Sequence, residues 1–206
     1  MVEEPVHFEA IKMIIDDLFC PMRGVMGVVI THPDPLFGGN MYINVLEAVF
    51  RIFQLAGYTT LRFNFRSVGA SEAEYDNRIG EQEDVNAALH YLAHEGKKIL
   101  HLAGYSFGSW VNALAISEVD TVDRMVMISP PVAFMDFNSV GLTPQLQLVV
   151  AGSRDDIAPP ELIKNMLPTW NPRAHLEVID GADHFYLGYT GKLESVLAAY
   201  LKNHGP

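Results

Sequence analysis

Ser106 lies in the stretch AGYSFGSW, where Gly104 and Gly108 complete the pattern G-x-S-x-G. Glycines on both sides of a serine let a strand turn sharply into a helix and leave the hydroxyl standing clear in a cleft. A serine hydroxyl attacks carbon at neutral pH only when a base takes its proton and a third group orients that base. The motif therefore requires an acid and then a histidine farther along the chain, each in a turn at the C-terminal end of a later strand. Two turns qualify: AGSRDDIAPP after LQLVV, and DGADHFY after HLEVI. The second supplies His184 as base, and the first offers Asp155 and Asp156 as competing acids.

Attack on an acyl carbon creates an oxyanion that needs preorganised N–H donors. The residue after the nucleophile, Phe107, supplies one. The other is expected from the turn THPDPLFGGN, where Pro33 and Pro35 have no N–H to give, leaving Asp34 or Leu36, with Asp34 favoured by position. His32 in the same turn is expected to shape this loop by hydrogen bonding. Ser71 in GASEA is a decoy, because Ala73 replaces the second glycine and an acidic segment follows. His90 and His94 stand one helical turn apart, but without a third ligand or an H-E-x-x-H pattern they read as helix C-terminal residues, and no metal is expected.

These residues need a scaffold that presents strand ends side by side. Short apolar runs begin at Gly27, Thr59, Lys98, Arg124, Leu146 and His175, each leading to a turn and several on to a helical pattern. Such alternation predicts an α/β fold with a mostly parallel sheet. The runs are nearly continuous in apolar residues, so they read as strands buried on both faces. Helices are expected over Met41 to Leu55 and Gly80 to His94, just after Ser106, near Pro160 and near Gly191. Residues 6 to 20 fit two patterns, since VHFEA alternates like a strand while the segment through Phe19 also suits an amphipathic helix, and an antiparallel hairpin is the favoured expectation.

The chain has 206 residues, 49% hydrophobic and 19% charged, which fits one domain spanning residues 1–206. A formal charge of −11 disfavours nucleic acid and anionic membrane as partners. The start of the chain is acidic and lacks the pattern of a signal peptide, and no apolar run is long enough to cross a bilayer, so a cytoplasmic protein is expected. Cys20 is the single cysteine and reads as a packed small hydrophobe. Neither a G-x-G-x-x-G nor a P-loop is present, so no cofactor is expected, and the chain is read as a monomer or homodimer.

The motifs THPDPLFGGNM, LRFNFRSVGASE, GEQED, LAGYSFGS, GSRDDIAP and GADHF, in this order, resemble the small lidless α/β-hydrolases akin to dienelactone hydrolases and serine-peptidase-like hydrolases. The similarity covers residues 27 to 205. It implies an α/β-hydrolase fold, with helices on both faces of the sheet and no cap domain, and a Ser106, Asp155, His184 triad framed by Phe107 and the Asp34 loop. The spacing in GSRDDIAP matches the family's G-x-x-D-x-x-x-P and selects Asp155 over Asp156. Ser67 stands where the family usually has glycine. Arg62 and Arg66 are expected to pair with acids such as Glu81 or Asp84. Between Ser129 and Leu146 the chain is too short for a lid domain, leaving Phe134, Met135 and Phe137 as a low wall beside an open site. The resemblance implies hydrolysis of an ester or related acyl bond of a small substrate. The same triad would serve an exopeptidase or a cofactor-free haloperoxidase-like enzyme, and a noncatalytic binding module on this fold is the alternative of a different class.

Overall fold

The structure, a computed structural model, describes residues 3, 7–10, 13–116 and 122–204. Eight strands form one sheet in the order β1-β2-β4-β3-β5-β6-β7-β8. In chain order they are β1 (His7–Ala10), β2 (Met13–Cys20), β3 (Met26–Thr31), β4 (Thr59–Phe63), β5 (Ile99–Tyr105), β6 (Arg124–Ile128), β7 (Leu146–Gly152) and β8 (His175–Ile179). β1 pairs antiparallel with β2, as expected for a hairpin over residues 6 to 20, and β2 in turn pairs antiparallel with β4. All other pairs are parallel.

The helices are α1 (Asn44–Leu55), α2 (Ile79–His94), α3 (Phe107–Ala115), α4 (Pro160–Trp170) and α5 (Thr190–His204). β3, β4 and β5 are buried on both faces, so each face has a cover. α1 and α5 cover one, through Val45, Leu46, Val49, Phe53, Leu193 and Leu197 against Val28, Ile30, Ala103 and Val126. α2, α3 and α4 cover the other, through Val85, Leu89, Trp110, Ile163 and Trp170 against Val29, Leu61, Leu102 and Val149. Each such side chain, fully buried, contributes about 1.5–3 kcal/mol from removal of apolar surface from water. Among the described residues no helix is long and apolar enough to cross a membrane.

Three local departures from the sequence expectation have physical causes. α1 begins at Asn44 rather than Met41, because the Met41 and Tyr42 N–H groups donate to Asn64 Oδ1 and Asn40 Oδ1, both at 2.9 Å, and hold a turn. α2 begins one residue earlier than expected, at Ile79, where Arg78 takes φ 86° as N-cap and donates its N–H to Glu81 Oε2 at 2.7 Å. β8 is not buried on both faces: it is the last strand of the sheet, and of its five residues only Ile179 is buried.

Candidate active site

The parallel strands end their C-terminal edges side by side, and the turns that follow carry the candidate residues. At the end of β5 the chain turns at Ser106 with φ 52° and ψ −122°, a conformation that costs a non-glycine residue roughly 1–3 kcal/mol. The surroundings enforce it. Ser106 N–H donates to Ile128 O at 2.9 Å, and its carbonyl accepts from Ser109 N–H at 2.9 Å and Ser109 Oγ at 2.6 Å. The two flanking glycines have no room for a side chain: a β-carbon on Gly104 would sit 2.6 Å from the Ser109 backbone, and one on Gly108 would sit 2.6 Å from Thr31 Oγ1 and 2.7 Å from His32 O.

Ser106 Oγ lies 3.0 Å from His184 Nε2, and His184 Nδ1 lies 2.9 and 3.0 Å from the Asp155 carboxylate oxygens. A carboxylate can only accept, so Nδ1 carries the proton and Nε2 is free to receive the serine's. All three residues are buried, whereas Asp156 is exposed. Asp155 Oδ1 also accepts from Ile157 N–H at 3.0 Å and Ala158 N–H at 2.8 Å. Burial pushes the Asp155 carboxyl up, but His184, the Ser129 hydroxyl and the Ala158 N–H outweigh it and hold the group below the usual carboxylate range. Tyr105 OH donates to His184 O at 2.8 Å and fixes the histidine turn to β5.

The turn after β3 leaves some N–H groups free and occupies others. Asp34 caps a short 3-10 turn, Pro35–Phe37, and its Oδ1 accepts the Leu36 N–H at 2.9 Å. Leu36 is thereby occupied, while the Asp34 and Phe107 N–H groups make no hydrogen bond among the described residues. His32 holds this turn in place. Its Nε2 accepts from Phe65 N–H at 2.9 Å, so its Nδ1 is the protonated nitrogen and donates to Pro33 O at 2.6 Å. Burial lowers the His32 pKa to about 4, which keeps the ring neutral.

The site opens into a cleft of about 570 Å³ lined by the Asp34 loop, Ile43, Tyr105, Ser106, Phe134, Met135, Ile157, His184 and Phe185, among others. A second cavity of about 450 Å³ beside α5 also contains a serine and two histidines, but there Ser195 Oγ donates to Gly191 O, His175 faces Glu177 and His204 Nδ1 lies 3.0 Å from Tyr200 O, so among the described residues no base addresses that hydroxyl.

Comparison with known proteins bears on the fold and the family. No protein-family model matches the chain. Over 183 residues it is 31% identical to an uncharacterized protein of Rickettsia prowazekii (strain Madrid E), covering 84% of this chain and 77% of that one. Among solved structures, an alpha-beta serine hydrolase homologue from Coxiella burnetii superposes with a TM-score of 0.90 at 29% identity, over 98% of each chain. A serine hydrolase without lid from Xanthomonas campestris gives a TM-score of 0.87 at 28% identity, over 98% of this chain and 94% of that one. The chain belongs to the small lidless α/β-hydrolases.

For a lidless hydrolase the connection from β6 to β7 is decisive, and here it holds only turns and the 3-10 turn Phe137–Ser139. Of the three residues expected to wall the site, Phe134 and Met135 line the cleft, but Phe137 does not. It is 1% exposed and packs on Trp170 with ring centroids 5.2 Å apart, because this face of the sheet needs an apolar cover where no lid exists. The arginines also sort differently from expectation. Arg66 pairs with Asp84 at 2.8 Å as expected, but Arg62 makes two bonds to Glu3, at 2.6 and 2.8 Å, and Glu81 is taken up by capping α2.

Two residues of this hydrolase escaped the sequence reading. Ser129, at the end of β6, has φ 45°, and Tyr186, two residues beyond His184, has φ 53°. Their hydroxyls lie 2.8 Å apart, and the Ser129 hydroxyl also bonds Asp155. The signal for Ser129 was its place: the C-terminal end of the strand between the serine strand and the acid strand.

Proposed function

We propose that the protein is a serine hydrolase that cleaves an ester or related acyl bond of a small substrate through an acyl-enzyme on Ser106. The observation that carries this reading is the unbroken line of hydrogen bonds from Asp155 through His184 to Ser106 Oγ, beside the free N–H groups of Phe107 and Asp34. Its structural neighbours are α/β serine hydrolases, which supports hydrolase activity.

Ser106 Oγ attacks the acyl carbon and its proton passes to His184 Nε2. The developing oxyanion is received by the Phe107 and Asp34 N–H groups, whose dipoles are fixed before reaction starts. Asp155 keeps the Nδ1 proton in place and stabilises the imidazolium. Collapse breaks the bond to the leaving group, which departs with the proton from Nε2. Water then gives a proton to Nε2, attacks the acyl carbon, and returns Ser106 with a carboxylic acid product.

Intact-mass measurement after treatment with a fluorophosphonate tests this directly. One adduct is expected on the wild type, none on Ser106→Ala, and a much slower one on His184→Ala. A folded wild type that takes no adduct overturns the proposal.

A further inference from the structure

We infer that the preferred substrate of this site is an uncharged ester carrying an apolar group larger than acetyl, gripped by Phe37, Phe134 and Phe185. The inference rests on the hydrolase reading above and adds the chemistry of what is bound. Phe37 is 89% exposed, Phe134 74% and Phe185 58%. Among the described residues these are the phenylalanines exposed by more than half, and all three line the cleft that contains Ser106. They come from three separate segments: the donor turn after β3, the connection after β6, and the turn that carries His184. Single exposed apolar residues are ordinary on any surface, but convergence of large rings from separate loops onto one cleft marks a binding surface. Ile43, Met135 and Ile157 continue the apolar lining between them.

The charge of the lining is equally informative. No lysine or arginine is among its residues, so a substrate carboxylate or phosphate would find no counter-ion there. Arg62 and Arg66, the nearby cations on and after β4, are held by Glu3 and Asp84. The one acidic lining residue is Asp34, and its Oδ1 is engaged by the Leu36 N–H. A cationic substrate would thus face a carboxylate committed to holding the donor turn. A neutral group leaves every polar partner in place and gains from covering the rings.

The test measures kcat/KM on p-nitrophenyl acetate, butyrate and hexanoate, on p-nitrophenyl hemisuccinate, and on the p-nitrophenyl ester of 4-(trimethylammonio)butyrate. Each methylene buried is worth about fourfold, so butyrate, with two more, is expected to exceed acetate by about fifteenfold. The hemisuccinate and ammonium esters are each expected at least tenfold below butyrate. In Phe37→Ala and Phe134→Ala, both exposed positions that the fold does not need, the butyrate-to-acetate ratio is expected to fall at least threefold. A flat chain-length series, or a charged ester as good as butyrate, overturns the inference. Fluorophosphonate labelling on the same preparation separates the two failures. An adduct on Ser106 with a flat or charge-preferring series refutes the substrate class alone, whereas absence of the adduct refutes the hydrolase reading and this inference with it.

Discussion

Asp155→Asn is expected to abolish most activity without unfolding the protein, and the reason lies in which oxygen is held. Asp155 Oδ1 receives the Ile157 and Ala158 N–H groups at 3.0 and 2.8 Å. Both are donors, so in the variant the side-chain carbonyl oxygen must occupy that position and the amide nitrogen must take the place of Oδ2. Oδ2 is the atom 2.9 Å from His184 Nδ1. The amide nitrogen is itself a donor facing Nδ1, and although Oδ1 also lies 3.0 Å from Nδ1 it is already shared by two N–H groups, so the favoured tautomer is the one in which Nδ1 accepts from the amide and the ring proton moves to Nε2. Nε2 then faces Ser106 Oγ at 3.0 Å with a proton of its own and cannot accept another. In Ser-His-Asp sites this change of tautomer lowers kcat about 10⁴-fold, which is about 5 kcal/mol in barrier. The assay is the rate of fluorophosphonate labelling and of ester hydrolysis at neutral pH, with urea unfolding as the control for stability. Asp156→Asn, at the exposed neighbouring position, should stay within about twofold, the range of a surface substitution. Asp155→Asn that labels within tenfold of wild type would refute the reasoning, since the histidine would then be oriented by something else.

Stability should fall in acid through two buried histidines, His32 and His101, whose pKa values burial lowers from 6.5 to about 4. The unfolded chain binds their protons first, so the stabilisation is complete above about pH 6.5 and is lost as pH falls towards 4, by about 3 kcal/mol for each ring. Urea midpoints at pH 7 and pH 4.5 measure it, and His101→Phe, which keeps ring contact with Tyr58, should flatten the dependence. Ser129→Ala removes a hydrogen bond to the Asp155 carboxylate and should lower kcat about tenfold with little change in KM, as expected for a charge-assisted bond of about 1.5–3 kcal/mol. A change confined to KM would show that Ser129 does not act through the acid. Arg66→Met strands Asp84, which is fully buried, and should cost about 3–5 kcal/mol in urea unfolding. Ser67→Gly should stabilise the fold by up to about 1 kcal/mol with unchanged labelling of Ser106, because Ser67 has φ 68°. A lower urea midpoint in Ser67→Gly would show that its side chain contributes something the backbone strain does not outweigh.

The strands and the three residues in line were legible because chemistry restricts where they can stand. An activated serine needs its partners on neighbouring strand ends, and that requirement survives as order along the chain even where local pattern is ambiguous. What the chain order does not contain is which strand is outermost. HLEVI has the same apolar texture as LQLVV, yet β8 lies at the sheet edge and is mostly uncovered while β7 is enclosed. The partner of Arg62 was equally hidden, since Glu3 lies 59 positions away and no motif links the two. Phe137 was misplaced for a related reason: three apolar residues within four positions share one pattern, and only the packing around Trp170 decides which of them turns inward.

Of the seven non-glycine residues with a positive φ among the described residues, three stand at the strand ends where the site forms. Ser106, Ser129 and Tyr186 each hold a positive φ without being glycine, and they follow β5, β6 and β8 at the edge where the site forms. Each costs of order 1–3 kcal/mol, a sum comparable to a large part of a domain's net stability. Glycine would relieve that cost at all three positions, but it would remove the oxygen that attacks, the hydroxyl that bonds the acid, and the ring that bonds Ser129 in turn. Ser67 has the same strain and makes no comparable contact, and it stands after β4, where the family's usual residue is the unstrained glycine. The strain is therefore informative only together with what the side chain touches. At the ends of β5, β6 and β8 the two coincide, and the hydrogen bonds that Ser106 and Ser129 donate to Ile128 O and Val150 O, with the Ser129–Tyr186 hydroxyl contact, hold the turns in a conformation they would not adopt alone.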